Sequence, residues 1–156
     1  MSEPLLAIEN LHVQFARSED EVYAVNGVSF SIHENETLGI VGESGSGKSV
    51  MLMSSIGLLR ENGKITAGTA HFQGRDLLKL RPKQLEDIRG RDIGVIFQDP
   101  MTSLNPVMRI GDQIMEAMLT HQYAGRKEAF ERTLHLLHEM GIPDPKARVK
   151  NYPHEF

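Results

Sequence analysis

The chain has 156 residues, enough for one modest domain with its own core. Charged residues make up 24% and hydrophobic residues 40%, an ordinary globular balance, and a net charge of −4 gives nothing to attract nucleic acid. The absence of cysteine excludes disulfides, thiolate metal sites and cysteine nucleophiles.

Met1-Ser2-Glu3-Pro4 lacks the positive start and long apolar run of a secretory signal, and the longest apolar stretch, Val50 to Leu59, is far short of a membrane span. A cytoplasmic chain that meets a membrane only through a partner is the expectation. Leu5 to Phe15 alternates as a strand, with Leu11, Val13 and Phe15 on one face. Arg17 to Glu21 is a polar turn. Val22 to Val25 and Val28 to Ile32 resume the extended pattern, with Val28, Phe30 and Ile32 sharing a face, so an antiparallel meander is predicted. Asn35 sits in the next turn, where positive φ is tolerated by asparagine. Thr37-Leu38-Gly39-Ile40-Val41 is short, apolar and β-branched, which predicts a buried parallel strand.

Gly42-Glu43-Ser44-Gly45-Ser46-Gly47-Lys48-Ser49 follows at once and reads G-x-x-x-x-G-K-S, a phosphate-binding loop. Triphosphate oxygens need several donors converging on one point. The backbone N–H groups of a tight loop supply them, helped by the positive end of the following helix. Gly42, Gly45 and Gly47 allow conformations and close approaches that a Cβ would block. Lys48 is placed to meet the β- and γ-phosphates, and the Ser49 hydroxyl to ligate Mg²⁺. Val50 to Ile56 supplies the helix.

Asn62-Gly63 marks a turn, Lys64 to Phe72 reads as extended, and Gln73-Gly74 breaks it. Residues 82–89 begin with Pro82, suited to the first helical position. Asp92-Ile93-Gly94-Val95-Ile96-Phe97 is predicted as a second buried strand, ending at Gln98-Asp99-Pro100. Asn105-Pro106 predicts a helix start, with Ile110, Ile114, Ala117, Met118 and His121 at helical spacing. A second helix is expected from Arg126 to Met140, with Phe130, Leu134, Leu137 and Met140 on one stripe and Gly141 and Pro143 ending it. His135 and His138 share a helix face without a third ligand at metal-like spacing, so a solvated or packing role is expected.

Together these motifs resemble the ATP-binding subunit of an ABC transporter, in the dipeptide/oligopeptide and nickel importer branch. The resemblance rests on Val25 to Ile32, on Thr37 to Ser49, on Ile96 to Pro106 with its M-T-S-L-N-P, and on Tyr152-Pro153-His154-Glu155-Phe156. It implies an α/β fold: an incomplete ABC-type nucleotide-binding domain of P-loop NTPases, with an antiparallel N-terminal β portion and a helical subdomain. Residues 1–156 would form one partial domain, with a nucleotide-binding core over 1–99 and the Q-loop end and helical subdomain over 100–156. It implies ATP and Mg²⁺ as cofactors. Tyr23 would stack on adenine, the loop residues with Val50 would hold the phosphates, and Gln98 would join Ser49 on Mg²⁺. It further implies transmembrane permease subunits and a second ATPase subunit as partners, at the cytoplasmic face of the membrane. Met101, Met108, Met115 and Met118 are then candidates for a partner groove, since methionine adapts to irregular apolar surfaces; ordinary core is the competing reading for Met115 and Met118.

The family pattern continues from Tyr-Pro-His-Glu-Phe into a Ser-Gly-Gly signature loop, and this sequence has no such run. Nor does any apolar strand end in Asp-Glu, the Walker B pattern, and the later switch histidine is not found. No residue here is assigned to catalysis, and the expectation is nucleotide binding with negligible hydrolysis by these residues alone. The alternative reading is a non-catalytic fragment that binds nucleotide or a partner. Another P-loop enzyme such as a small kinase is disfavoured by Gln98-Asp99-Pro100 and by the lack of an Arg-rich lid.

Overall fold

Four strands build a sheet from the alternating segments of the first half: β1 (Leu6–Arg17), β2 (Asp20–Ile32), β3 (Gly63–Phe72) and the short β4 (Arg75–Asp76). Their order is β2-β1-β3-β4 and every pair is antiparallel. The computed structural model describes residues 3–17, 20–99, 103–121 and 123–156, so part of the turn expected over Arg17–Glu21 lies outside the described residues. Contacts divide the chain into two units, Met1–Leu85 and Glu86–Phe156.

In the first unit the expected face of β1 is inward: Leu11 and Val13 are fully buried, and Phe15 is half-buried. Each such burial contributes about 1.5–3 kcal/mol. The register of β1 breaks near Asn10 against both neighbours, and Asn10, Gly27 and Gly68 all have positive φ. A bulge therefore crosses three strands. A Cβ at Gly68 would lie 2.6 Å from the Leu11 Cα, so only glycine fits there. Helix α1 (Lys48–Ser55) packs on β1 and β2 and buries Met51, Ser54 and Ser55. The two serine hydroxyls donate back to Met51 O (2.9 Å) and Leu52 O (2.7 Å), which satisfies them inside the core. Asn35 has φ 60°, as its turn position predicts.

Asp76 closes this unit. Its carboxylate accepts from the N–H groups of Ala70 (3.4 Å) and Leu78 (3.2 Å) and pairs with Lys79 (2.9 Å). Burial alone would raise its pKa. The hydrogen bond from Lys79 and those two amides outweigh burial and leave it lowered. Its contribution to stability is thus present above the unfolded carboxylate pKa and lost as pH falls through and below it. Asp76→Ala is expected to cost about 1–2 kcal/mol, read as a lower Tm at neutral pH and a smaller difference in acid.

Two predicted strands are corrected. Thr37–Val41 and Asp92–Phe97 form no strand; in the second, only the bridge Arg89↔Ile93 is made. Val41 is 94% and Ile96 95% exposed. An apolar run becomes a strand only when another strand satisfies its backbone, and none among the described residues lies beside either segment.

The second unit is helical. Part of α2 (Pro82–Ile88) leads into it, followed by α3 (Ile110–Thr120), α4 (Arg126–Glu139) and α5 (Pro145–Arg148). Ile110, Leu137 and Val149 form its core, with Leu104, Ile114, Leu134 and Ile142 against them. Gly111 N–H donates to Val149 O at 2.9 Å, so α3 and the end of α5 touch backbone to backbone. The helix start expected at Asn105-Pro106 is corrected: α3 begins four residues later, at Ile110 with Arg109 as its N-cap. Asn105 Oδ1 instead accepts from Val107 N–H (3.1 Å), and the Gln113 side chain ties both Asn105 N–H and Asn105 O. The stripe expected on α4 holds at Leu137, which is buried, and at Leu134, which packs against the core, and fails at Phe130 and Met140. Ala129, Thr133 and Leu137 are buried, whereas Phe130 and Met140 are exposed. Thr133 can lie inside because its hydroxyl donates to Ala129 O at 2.8 Å. Gly141, at φ 73°, ends α4 as predicted.

Candidate functional site

The loop Gly42–Lys48 joins the extended segment to α1, and its shape follows from two glycines. Gly45 (φ 83°) and Gly47 (φ 87°) turn the chain through the left-handed region. Gly47 is also the N-cap of α1. It brings no capping oxygen, and the first turn holds no acidic residue. The amides of that turn are therefore left for an external acceptor, at the positive end of the helix dipole.

Lys48 folds back over the loop. Its Nζ donates to Gly42 O (2.6 Å), Glu43 O (2.7 Å) and Ser46 Oγ (3.1 Å). Among the described residues no carboxylate forms an ion pair with it. A cation held by carbonyls beside uncapped amides fits a polyphosphate, whose oxygens would meet both. Ser49, one residue into α1, is exposed and carries the hydroxyl suited to a hard divalent cation. The residues present thus fit a magnesium nucleotide. Among the described residues there is no cluster of three His, Asp or Glu side chains that could hold a metal by itself.

Two cavities flank the loop. One, of about 430 Å³, is bordered by Tyr23, Val41, Gly42, Ser46 and Lys48. Tyr23 stands on β2 opposite Gln14 and is 62% exposed, so it is not a core tyrosine. The other, of about 520 Å³, is bordered by Phe15, Ala24, Ser49, Val50 and Arg60. Phe15 therefore lines this cavity together with three residues of the phosphate-loop helix, Ser49, Val50 and Met53. The sequence placed Phe15 only on one face of β1 with Leu11 and Val13; its position at the end of β1, beside a polar turn, was the available signal.

Gln98 is exposed and belongs to the second unit. Of the methionines, Met115 is buried, in line with core, Met108 and Met118 are half-buried, and Met101 lies outside the described residues. His135 meets Glu139 at 3.3 Å on the exposed side of α4. No helix among the described residues is long and apolar enough to cross a membrane.

Comparison with known proteins bears on all of this. The family model described as "ABC transporter" matches residues 25–156. The chain is 48% identical over 155 residues to the dipeptide transport ATP-binding protein DppD of Bacillus subtilis, covering 99% of this chain and 46% of that protein. It is 47% identical over 152 residues to the oligopeptide transport ATP-binding protein OppD of Salmonella typhimurium, covering 97% and 45%. The chain thus spans about half the length of these relatives. A dimeric structure of the ATP-binding cassette MJ0796, bound to ADP and Pi, superposes with a TM-score of 0.81 at 24% identity, covering 97% of this chain and 62% of that one. The fold is that of an ABC ATPase, present in part, and the chain belongs to the ABC transporter family.

Proposed function

We propose that this chain is the ATP-binding portion of an energy-coupling subunit of an importer for dipeptides or oligopeptides. The observation that carries the reading is Lys48, held over the loop by three oxygens beside an uncapped helix start. The names of the DppD and OppD relatives support the peptide class. In this proposal Gly42 to Val50 cradle the phosphates, and the Ser49 hydroxyl ligates Mg²⁺. The bound metal neutralises phosphate charge; the chain's own residues bind and orient. Permease subunits and a second ATPase subunit are the proposed partners, with the chain peripheral on the cytoplasmic face of the membrane.

Which aromatic receives the base is open to direct test. Tyr23 borders the cavity on the Lys48 side, and Phe15 borders the one that also holds Ser49 and Val50. The shared wall with Ser49 and Val50 favours Phe15, because a base tethered to those phosphates lands on the same side. Stacking a base on an aromatic contributes about 1–3 kcal/mol. Phe15→Ala is expected to raise the Kd of a fluorescent ATP analogue about tenfold or more, and Tyr23→Ala by less than about threefold. The reverse order would assign the base to Tyr23. Binding of that analogue by neither the wild-type nor the variant chains would refute the nucleotide reading itself.

A further inference from the structure

One cavity of the helical unit is not part of the nucleotide loop. It has a volume of about 570 Å³ and opens between the first turns of α3 and α4 and the end of α5. Four cations border it: Arg109, Arg126, Lys127 and Lys150. A single acid, Asp112, stands among them. Among the described residues none of the four cations takes part in an ion pair. In a chain of net charge −4 this is a local reversal of sign.

The floor is apolar. Met115 and Val149 are buried beneath it, and the Phe130 ring is 38% exposed at its wall. Phe130 is the residue that the helical stripe predicts for the core and that the structure leaves at the surface. The N-cap of α4, Gly125, makes no side-chain capping bond, so the first-turn amides of α4 add to the positive potential, whereas in α3 the N–H groups of Ile110 and Gly111 already donate to Asn151 O and Val149 O. The size lies within the usual range for small-molecule sites, about 300–1,000 Å³.

We propose that this cavity binds a small phosphorylated organic anion, its apolar or aromatic body against Met115, Phe130 and Val149 and its phosphate between the cations. The charge demands an anion, and guanidinium groups suit phosphate in particular because they can donate two parallel hydrogen bonds to it. The apolar floor demands more than a bare anion. The site is independent of the nucleotide reading, and it would let a phosphorylated compound act on the helical unit while the loop is empty or filled.

The test uses the full wild-type chain with 1-naphthyl phosphate as the probe, read by residue-resolved ¹H–¹⁵N shifts. Shifts over residues 109–115, 126–130 and 149–150 are expected, separate from any at 42–50 that would report the nucleotide loop. Arg126→Gln with Lys127→Gln is expected to raise the Kd about tenfold or more, as loss of charge-assisted contacts to one phosphate implies. Lys150→Gln, on a different element, gives a second reading should the double variant fold poorly. Inorganic phosphate and 1-naphthol are each expected to bind at least about tenfold more weakly than the probe. Equal binding of either, shifts spread over unrelated surface lysines, or no response to these substitutions would overturn the proposal. So would an acidic, phenylalanine-containing peptide that displaces the probe and binds more tightly, since that result makes the cavity a protein-docking surface.

Discussion

Lys48→Ala is expected to weaken ATP binding about a hundredfold or more while moving the Tm of the chain very little. The two effects separate because of where the Lys48 ammonium sits. Its partners are Gly42 O, Glu43 O and Ser46 Oγ, all on exposed residues, so water can replace each bond when the side chain is removed. A bound triphosphate has no such substitute. Hydrogen bonds to charged groups contribute about 1.5–3 kcal/mol each, and losing two of them amounts to about two decades of affinity or more. Titration with a fluorescent ATP analogue and a thermal melt of the same preparation check both halves. Turnover by the wild-type chain is expected to stay at the level of a protein-free blank, because among the described residues bordering the loop cavities there is no carboxylate or imidazole to orient an attacking water. Rapid turnover that Lys48→Ala removes would contradict this.

The loop was legible because its chemistry is local. Eight consecutive residues carry the turn, the cation and the helix start. The antiparallel strands were legible for a related reason: alternation at Leu11 and Val13, and at Val28, Phe30 and Ile32, states which face is buried. What failed were inferences that depend on a partner. Thr37–Val41 and Asp92–Phe97 have strand composition, but hydrogen bonding between strands is non-local, and no described strand lies beside them. The helix-start signal misled and succeeded in one chain. Asn105-Pro106 makes a side-chain-stapled turn, whereas Asp144-Pro145, not singled out from sequence, caps α5 through an Ala147 N–H at 3.4 Å. The difference is Gln113, eight residues away, which occupies the Asn105 backbone. Phe15 and Phe130 were placed on the apolar face of a strand and of a helix, and both border cavities. Periodicity gives a face but not where that face runs out.

Gly47 allows a sharper test of the site, because it serves the fold and the ligand at one atom. A Cβ there would collide with the carbonyl oxygen of Ala24 on β2, and the residue sits at φ 87°. The glycines nearby separate these two causes. Gly45 has φ 83° but open space around its Cβ position, and Gly39 has open space and no positive φ. Gly39→Ala is expected to be nearly neutral. Gly45→Ala carries only the left-handed penalty, about 1–2 kcal/mol. Gly47→Ala carries that penalty and the collision, and a backbone oxygen in a sheet cannot swing aside as a side chain can. Either β2 or the start of α1 must move, and Ala24 also borders the cavity shared by Phe15, Ser49 and Val50. Tm should therefore fall in the order Gly39→Ala, Gly45→Ala, Gly47→Ala. Nucleotide affinity should fall most at Gly47, by about tenfold or more, since displacing the first turn of α1 by even a fraction of an ångström misaims its amides. Equal Tm losses at Gly45 and Gly47 would mean that the Ala24 carbonyl is not a fixed wall, and the close packing of loop on sheet, on which the base assignment to Phe15 also depends, would fail with it.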